Sequence, residues 1–489
     1  MFFCFCVLKC SCMKTENKKI NLIIDSDISN GIDDQFALAY ALSSAEKLNV
    51  VAITVAPYRV EWKNNLSIRD GMIDSRICGN RIAKMFGIKH TADKPFIYMG
   101  SSGFLSEGYD EVSPAVEKIL QVARESEGKV WICCLGPLTN VAMALREDPK
   151  IASKIKVVWM GTDNVLVKRF ADLNFRSDKV AFYEVLASKV DLTVFPTFLG
   201  RSFVNSKYEF ESNIVGNNVT KYLKTILDNY IFNQDVGVNT IYDIGPIAYV
   251  LNKSKFTTEK IDANMLVKDK EYMLHNDRKI NYVVSVPANS FVWKDFLNTV
   301  NASKTHYLKP KVLFTSDTHF GHERKVKAKL VPFKSVEEMN SELVRRWNNK
   351  VGPEDLVYHI GDFGDYEYIK QLNGRVVLIC GNNELKDAGK NFEAFRQKLI
   401  DMGFVDVIKD GIYLDESVLG RKVYLTHKPT DHAKDCLTLF GHVHSINLLK
   451  TFGFNVCVTY HYYAPIDVST AKRYLAFVAN GLDEDAIIE

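Results

Sequence analysis

The chain has 489 residues, of which 47% are hydrophobic and 25% are charged, as is typical of soluble globular proteins. Its 62 basic and 59 acidic residues leave a net charge of +3, so composition gives no strong signal for a nucleic-acid surface or an anionic membrane as a partner. No apolar run approaches the roughly 18 residues of a membrane span. This length predicts two or three domains, each able to bury its own core without disulfide bonds.

The N-terminus is distinguished by its cysteines. Residues 1–18 hold four of the ten cysteines, in the pattern C-x-C-x3-C-x-C. No further ligand cluster follows that would complete a metal site, so we interpret this stretch as a disordered tail or as sequence that precedes a true start at Met13. The other six cysteines are scattered, mostly in apolar runs, which is typical of reduced thiols in a cytoplasmic protein.

Strand-like and helix-like segments alternate regularly between residues 19 and 303. The predicted strands cover residues 20–25, 49–55, 129–135, 155–160 and 190–195. The predicted helices cover residues 33–44, 65–86, 114–126, 139–146 and 178–188. This alternation predicts an α/β domain with a doubly wound, mostly parallel sheet and helices on both faces. Residues 257–300 are rich in Val, Tyr and Thr and are expected to add further strands.

The first predicted strand runs into the segment DSDISNGIDDQFALAYAL, which contains four closely spaced carboxylates. They are Asp25, Asp27, Asp33 and Asp34. Like charges at this spacing repel one another unless a cation neutralises them. Alternatively, Asp33 and Asp34 only open the following amphipathic helix, because carboxylates are favoured at a helix N-terminus. From this motif alone, both interpretations stay open.

Four later segments accompany the acidic motif. They are ICCLGPLTNVAMAL (132–145), KVVWMG (156–161), ADLNFRSDKVA (171–181) and IYDIGPIAYVL (241–251). Together with the opening motif, they resemble the inosine–uridine nucleoside hydrolase family. The resemblance extends over most of residues 19–303. It implies a nucleoside hydrolase-like fold, a small-molecule nucleoside substrate and a homo-oligomeric assembly.

The same resemblance implies roles for individual side chains. Oxygen-only ligation suits the single Ca²⁺ of this family. The ligands implied in this chain are Asp27, Asp34, Asp243 and the backbone carbonyl of Leu135. Asp27 would also deprotonate the attacking water while the N-glycosidic bond breaks through an oxocarbenium-like state. The residues implied to hold the sugar are Asp33, Asp172 and Asn174.

Two departures from the family pattern concern the base. Tyr242 stands where the family has a histidine that assists the leaving group. Residues 56–58 occupy the place of a stretch that commonly contains an asparagine. Base specificity is therefore expected to differ from that of a plain nucleoside hydrolase.

A polar segment around Pro310 separates this region from a second one, and we place a linker at residues 304–310. Residues 311–489 are predicted to form a second α/β domain. Its predicted strands cover residues 311–316, 356–360, 375–379, 422–426, 436–440 and 473–478. Its predicted helices cover residues 335–349 and 391–402.

In the second domain, five strand-like runs each end in a potential metal ligand. The side chains concerned are Asp317, His319, Asp362, Asn382, His427, His442 and His444. Because strand ends meet at one edge of a sheet, these side chains are expected to converge. Their chemistry suits Mn²⁺, Fe²⁺, Zn²⁺ or Mg²⁺. Seven ligands suffice for two ions about 3.5–4 Å apart if one carboxylate bridges them.

The ordered string D-x-H, G-D, G-N-x-[DE], H and G-H-x-H resembles the calcineurin-like metallophosphoesterase family, whose fold is an α/β sandwich. The segments SDTHFGHERK and YHIGDF are most similar to a small bacterial and phage branch. The resemblance implies that one ion is bound by Asp317, His319, Asp362 and His444. It implies that the second ion is bound by Asp362, Asn382, His427 and His442, with Asp362 as the bridge.

One position departs from this family as well. Asn383 replaces a histidine that normally acts near the leaving group. An amide can hydrogen-bond there but cannot deliver a proton at neutral pH. The candidates to replace that histidine are His322 and His359.

Together, the two constellations predict a bifunctional, metal-dependent hydrolase. It would cleave an N-ribosidic bond in the first domain and a phosphoester or phosphoanhydride bond in the second. The expected substrates are nucleotide-like, namely nucleoside monophosphates, dinucleotides of the ADP-ribose type or cyclic nucleotides. The alternative is a single-activity phosphoesterase whose first domain is a non-catalytic module that binds a nucleoside or ADP-ribose.

Overall fold

The structure is a computed structural model that describes residues 19–59, 67–89, 95–165, 172–228, 238–306, 310–352 and 354–481. The predicted N-terminal tail, with its four cysteines, lies outside the described residues, as do residues 307–309 of the predicted linker. The six cysteines within these ranges are free thiols, and all except Cys436 are buried. None of the helices in these ranges combines the length and the hydropathy that a bilayer crossing requires.

The first domain contains ten strands within the described residues. They are β1 (Ile20–Ser26), β2 (Leu48–Val55), β3 (Ile97–Met99), β4 (Val130–Cys134), β5 (Ile155–Met160), β6 (Asp191–Phe195), β7 (Val204–Ser206), β8 (Val238–Thr240), β9 (Thr257–Asp262) and β10 (Lys279–Ser285). Its helices are α1 (Asp33–Ser43), α2 (Ile68–Met85), α3 (Pro114–Glu125), α4 (Thr139–Glu147), α5 (Leu173–Ser177), α6 (Lys179–Ala187), α7 (Thr197–Gly200), α8 (Lys207–Asn213), α9 (Asn218–Asp228), α10 (Ile244–Leu251) and α11 (Asn289–Ala302).

Eight of these strands form one sheet in the order β3-β2-β1-β4-β5-β6-β10-β9. All neighbours in it are parallel except β10 and β9. Alternate residues of β1 face opposite helical layers: Ile24 packs in one core with Phe36 and Phe296, and Ile23 in the other with Val141. The prediction of a doubly wound, mostly parallel sheet is therefore confirmed, and β9 and β10 are the extra strands expected after residue 257.

The second domain contains a further ten strands within the described residues. They are β11 (Val312–Thr315), β12 (Leu356–Ile360), β13 (Arg375–Ile379), β14 (Asp406–Ile408), β15 (Ile412–Leu414), β16 (Val423–Leu425), β17 (Leu437–Phe440), β18 (Leu449–Lys450), β19 (Gly453–Asn455) and β20 (Ile466–Asp467). Its helices are α12 (Glu323–Lys327), α13 (Val336–Lys350), α14 (Asn382–Ala388), α15 (Phe392–Met402), α16 (Glu416–Leu419) and α17 (Val468–Ala479).

These strands form two five-stranded sheets, ordered β14-β13-β12-β11-β20 and β15-β16-β17-β19-β18. The sheets pack against each other through a shared core in which Phe314 and Ile360 of the first meet Leu439 and Phe454 of the second. Helix α13 covers the outer face of the first sheet, and Trp347 is buried there. The second domain is thus an α/β sandwich, as predicted.

One predicted strand of this domain is wrong. Residues 473–478 belong to α17, not to a strand. Asp467 caps this helix by accepting a hydrogen bond from Thr470 N at 2.8 Å. The buried residues Ala471, Leu475 and Val478 recur at helical spacing, so one face of this helix packs against the core, while Phe477 is 40% exposed.

The two domains meet where α2 packs against α13. Arg345 of α13 bonds to Asp74 of α2 and, at 2.9 Å, to Glu342. The three side chains are 11%, 14% and 3% exposed, so this ion pair is shielded from water. Arg81 of α2 also donates to the carbonyl of Asn349 at 2.7 Å. Helix α13 is therefore held to the first domain by charged contacts that are costly to break.

We expect Arg345→Met to lower stability by about 3 kcal/mol, because it leaves two largely buried carboxylates, Asp74 and Glu342, without their cationic partner. Differential scanning calorimetry of the full chain measures this as a fall in Tm. The matched control is Arg396→Met, which removes an ion pair with Asp406 whose side chains are 35% and 40% exposed. Equal Tm shifts for the two variants would contradict the prediction.

Candidate functional site

The first candidate site lies at the carboxyl end of the central strand β1. There β1 ends at Ser26, α1 begins at Asp33, and a turn leads into α10 at Ile244. These elements bring together Asp33, Asp34 and Asp243, which each offer a carboxylate oxygen within 4.8 Å of the others. Ligands of parallel sheets bind at this edge, so the cluster occupies the expected position for a site.

Asp27 lies beside this cluster and is 2% exposed. Asn30 Nδ2 donates to Asp27 Oδ2 at 2.7 Å, and Ser26 Oγ donates to Asp34 Oδ1 at 2.5 Å. The chain after β4 passes so close that a Cβ on Gly136 would lie 2.8 Å from Asp27 Oδ1. Only glycine therefore allows this loop to approach the Asp27 carboxylate.

Burial raises the pKa of each carboxyl in this group. It raises the pKa of Asp27 to about 7 and that of Asp33 to about 6. Burial, followed by the negative charge of the neighbouring aspartates, holds the pKa values of Asp34 and Asp243 well above their usual range. One divalent cation would relieve this repulsion, and an all-oxygen donor set fits Ca²⁺. The cluster of carboxylate oxygens contains Asp33, which the sequence analysis assigned to binding of the sugar. Asp27, which it assigned to the cation, lies beside this cluster.

Two residues predicted to hold the sugar lie where strand ends meet. Asn174 Nδ2 donates to the carbonyl of Leu135 at 2.6 Å and to that of Met160 at 2.9 Å. The Leu135 carbonyl, a predicted cation ligand, keeps its second lone pair. Asp172 caps α5 through Phe175 N at 3.1 Å, and its Oδ2 is buried with no described hydrogen-bond partner. Such an oxygen is expected where a polar ligand group binds.

Tyr242 lies in the turn before α10, directly before Asp243. It is half-buried and packs against the apolar core. A Cβ on Gly200 would lie 2.9 Å from the Tyr242 ring, so α7 approaches this side chain closely. A backbone hydrogen bond also joins Tyr242 to Asp33. The residue that replaces the expected histidine is therefore adjacent to the carboxylate cluster.

The second candidate site lies at the strand ends of the sandwich. His319 Nε2 is 3.7 Å from Asp317 Oδ1 and 3.6 Å from Asp362 Oδ2. His444 Nε2 is 3.7 Å from Asp317 Oδ1, and His427 Nε2 is 3.7 Å from Asp362 Oδ2. Ligand atoms that each lie about 2 Å from a common ion are separated by about 3–4 Å. The five side chains therefore converge as predicted, with both aspartates in the middle.

Five of the predicted ligands have left-handed backbone conformations, which non-glycine residues rarely adopt. They are Asp317 (φ 57°), His319 (48°), Asp362 (56°), His442 (70°) and His444 (48°). Strain of this kind clusters at functional sites, where the surrounding fold must hold it. The left-handed residues in the loops after β11, β12 and β17 thus orient the ligand side chains toward one point.

The atoms that face the centre differ in their hydrogen bonds: His444 Nε2 accepts from Lys325 and His427 Nε2 contacts His442 Nδ1 at 3.2 Å, whereas two others have no partner. Asp317 Oδ1 and His319 Nε2 are buried with no described hydrogen-bond partner. His427 Nδ1 donates to the carbonyl of Ile360 at 2.8 Å, which leaves its Nε2 as an acceptor. Burial lowers the pKa of His444 to about 4, so its imidazole is neutral at pH 7. This donor set fits divalent transition ions or Mg²⁺.

The remaining predicted residues lie at the start of α14. Asn382 is exposed, and in the described hydrogen bonds it donates only to Asn383 Oδ1, at 3.5 Å. Asn383 N donates to Asp362 Oδ1 at 3.2 Å, so Asn383 does lie at the bridging carboxylate. Behind it, Glu384 is fully buried and accepts from the backbone N–H groups of Asp362 at 2.9 Å and Phe363 at 2.8 Å. Glu384 therefore positions Asp362.

The structure places the two histidines proposed to replace the missing proton donor in different surroundings. His359 is fully buried, hydrogen-bonds Thr318 Oγ1 at 3.0 Å, and is a core residue. His322 Nδ1 lies 2.9 Å from His319 Nδ1, where it orients a predicted ligand. Lys325, which the sequence did not single out, lies 2.7 Å from His444 Nε2. In the segment SDTHFGHERK, Lys325 stands about one helical turn after His322. This spacing is the sequence signal that could have identified it as a site residue.

Comparison with protein families divides the chain in the same way. A model described as inosine-uridine preferring nucleoside hydrolase matches residues 22–293. A model described as calcineurin-like phosphoesterase superfamily domain matches residues 311–456. Both are metal-dependent families of hydrolases, and each matched segment contains one of the two ligand clusters.

Individual relatives match parts of the chain. An uncharacterized protein of Methanocaldococcus jannaschii is 40% identical over 82 residues, which are 15% of this chain and 47% of that protein. Uridine nucleosidase 1 of Arabidopsis thaliana is 28% identical over 259 residues, or 48% of this chain and 74% of that protein. A solved plant nucleoside hydrolase is 18% identical and covers 58% of this chain and 100% of its own, with a TM-score of 0.45. The chain thus spans less than half of the archaeal relative.

The raised carboxyl pKa values predict how pH acts on the first domain. An aspartate whose pKa is about 4 when unfolded and 6 to 7 when folded, as for Asp33 and Asp27, stabilises the fold only at low pH. That contribution is lost as pH rises through 6 and 7. With a chelator present, we expect Tm to fall between pH 5 and 8. Saturating Ca²⁺ is expected to raise Tm, and to do so more at pH 8.

Differential scanning fluorimetry with EGTA or Ca²⁺ at each pH tests this. Asp34→Asn is expected to abolish the Ca²⁺ effect, and the exposed control Glu117→Gln is expected to preserve it. A Ca²⁺ effect that persists in Asp34→Asn would show that the ion binds elsewhere.

Proposed function

Because the chain belongs to the inosine-uridine preferring nucleoside hydrolase family and carries a calcineurin-like phosphoesterase domain, we propose that this hydrolase acts at two bonds of nucleotide-like substrates. The first domain cleaves the N-ribosidic bond, and the second cleaves a phosphoester or phosphoanhydride bond. The observation that carries the proposal is the presence of two separate clusters of buried metal-ligating side chains, one at the strand ends of each domain. The Arabidopsis relative, by its name, acts on uridine.

In the first domain, we assign the cation to Asp33, Asp34, Asp243 and the Leu135 carbonyl, with Asp27 alongside. When bound, Ca²⁺ would fix the sugar hydroxyls and the attacking water and would polarise that water. Asp27 then takes the proton of the water, since burial places its pKa near 7, the range that suits a general base. Asn174 has both amide hydrogens engaged, so its Oδ1 is the atom that accepts a sugar hydroxyl.

The base leaves on the side of Tyr242. The phenol O–H of Tyr242 can donate a hydrogen bond to a base nitrogen or oxygen. The buried oxygen of Asp172 accepts a further hydroxyl of the sugar. Buried carboxylates around the ribose stabilise positive charge as the bond breaks.

In the second domain, we assign two ions to the predicted set around Asp317 and Asp362. When bound, such a pair polarises a phosphoryl group and activates water near neutral pH. Glu384 holds the Asp362 loop in its left-handed conformation by accepting its N–H. His322 orients His319 through their 2.9 Å contact. The chain's own residues thus hold the metal-ligating side chains in position.

Lys325 is the residue that we propose assists the leaving group in place of the family histidine. It lines a cavity beside Asp317, His319 and His444. Burial lowers the pKa of its ammonium from a high ordinary value, which makes a proton easier to transfer. Asn383 contributes its backbone N–H, which donates to Asp362 Oδ1 at 3.2 Å.

We further propose a reducing, cytoplasmic setting for this enzyme. The described cysteines are free thiols, which persist where glutathione and thioredoxin keep them reduced. For the ions, Mn²⁺ is our choice in the second domain, because mixed imidazole and carboxylate ligation admits it. A homo-oligomer is proposed only from the family resemblance of the first domain.

We expect Lys325→Gln to lower kcat on alkyl phosphate esters by about 10²-fold, a typical contribution of general acid catalysis. Its effect on p-nitrophenyl esters is expected to be small, because p-nitrophenolate leaves without a proton. The matched control is Lys327→Gln on the same helix, which removes an exposed ion pair with Glu323. Equal losses on both ester classes would exclude Lys325 as the proton donor.

Two variants separate the activities. Asp34→Asn is expected to abolish base release with phosphate release unchanged, and Asp362→Asn is expected to do the reverse. Mass spectrometry of nucleoside and nucleotide panels with Ca²⁺ and Mn²⁺ supplied measures both products. Wild-type protein that releases phosphate but no base from any panel member would favour the alternative, in which the first domain only binds a nucleoside or ADP-ribose.

A further inference from the structure

A cavity of about 290 Å³ opens directly beside the second metal-ligand cluster. Its lining includes Asp317, His319 and His444 and the side chain of Lys325. The lysine and the metal-ligating groups suit a phosphate. A phosphoryl group alone fills only a small part of such a volume. The rest of the cavity is therefore available to the organic group of the phosphate ester.

Most of the remaining lining residues are apolar. Met339 and Leu343 of α13 form part of its lining and are each 2% exposed, so they belong to the packed core. Leu330 and Ile446 also line it, but they are 64% and 67% exposed. Tyr463 lines the cavity as well and is held by an edge contact with Phe333 at 4.9 Å between ring centroids.

The exposure of Leu330 and Ile446 is not explained by packing. Single exposed aliphatic side chains are common on protein surfaces and need no explanation. Leu330 and Ile446, however, line the same cavity as the metal-ligating residues. Small-molecule sites combine apolar walls with a few convergent polar groups in this way. A ligand that covers both side chains would remove their apolar surface from water, which is favourable in proportion to the area covered.

We propose that this cavity selects the organic part of the phosphoesterase substrate, and that it takes a phosphate ester with an apolar ring, such as a nucleobase or an aryl group. This inference rests on the proposed phosphoesterase activity. It distinguishes ring-bearing esters from sugar phosphates and pyrophosphate, which have no apolar group to place against Leu330 and Ile446. The mixed lining also orients the substrate, with the phosphate at the ligand cluster and the ring against Leu330 and Ile446.

The reaction at this site is hydrolysis. Water oxygen forms a new P–O bond, the P–O bond to the ring-bearing group breaks, and the leaving oxygen receives a proton, so an alcohol and a phosphate are produced. No oxidant or second substrate is required. The ring takes no part in the chemistry, and its burial is therefore expected to appear mainly in KM.

The test compares 2-phenylethyl phosphate with ethyl phosphate, each as the monoester and as its methyl diester. The two esters have similar alkyl leaving groups and differ in the ring, and neither has an N-glycosidic bond for the first domain to cleave. We expect kcat/KM to favour the phenylethyl ester by about tenfold or more in the full chain with Mn²⁺. The p-nitrophenyl monoester and diester serve as general reporters of activity.

Two variants locate the effect. Leu330→Ser and Ile446→Ser are each expected to reduce the preference about threefold through KM, because their exposed side chains contribute little to folding. Val405→Ser, at a 42% exposed position elsewhere in the domain, is expected to leave it unchanged. Activity on the reporters with equal kcat/KM for both alkyl esters overturns this inference alone. No activity on any ester overturns the proposed phosphoesterase function together with it.

Discussion

The burial of several carboxylates at the ends of strands is the constraint on which both halves of this protein depend. Asp27, Asp34 and Asp243 lie close together out of contact with bulk water, and burial raises the pKa of each. In the second domain, Asp317 and Asp362 each have two imidazole nitrogens within 3.7 Å. Divalent cations suit both arrangements, since they neutralise the carboxylates and bind imidazole nitrogens. Both clusters therefore favour the binding of cations.

The two domains meet this constraint in different ways. In the first, parallel strands end at one edge, and side chains such as Asn174 tie neighbouring strand ends together. In the second, the loops adopt left-handed backbone conformations, and Glu384 holds Asp362 by accepting its N–H. The strain is distributed over loops anchored to two packed sheets. Rigid support explains how such unfavourable conformations persist.

The contact between α2 and α13 joins the two domains that contain the two candidate sites. Arg345 and Asp74 form an ion pair that is largely withdrawn from water, and Arg81 adds hydrogen bonds to backbone carbonyls. Helix α13 also supplies Asn340, which accepts from Gly321 N at 2.9 Å near the second site. The same helix therefore contacts the partner domain and supports the phosphoesterase loops. A nucleotide handled at two bonds would meet both sites within a single chain.

The sequence by itself determined the two-domain α/β plan, the positions of most strands and the ligand clusters. Periodicity and strand-end motifs are local, so β1, β4 and β5 were predicted within one residue at each end. Only tertiary structure decided that 473–478 belongs to a helix packed on the core through one face, that His359 is a core residue, and that Lys325 reaches the site. Those outcomes depend on which distant residues pack around a side chain, and a local pattern contains no information about such contacts.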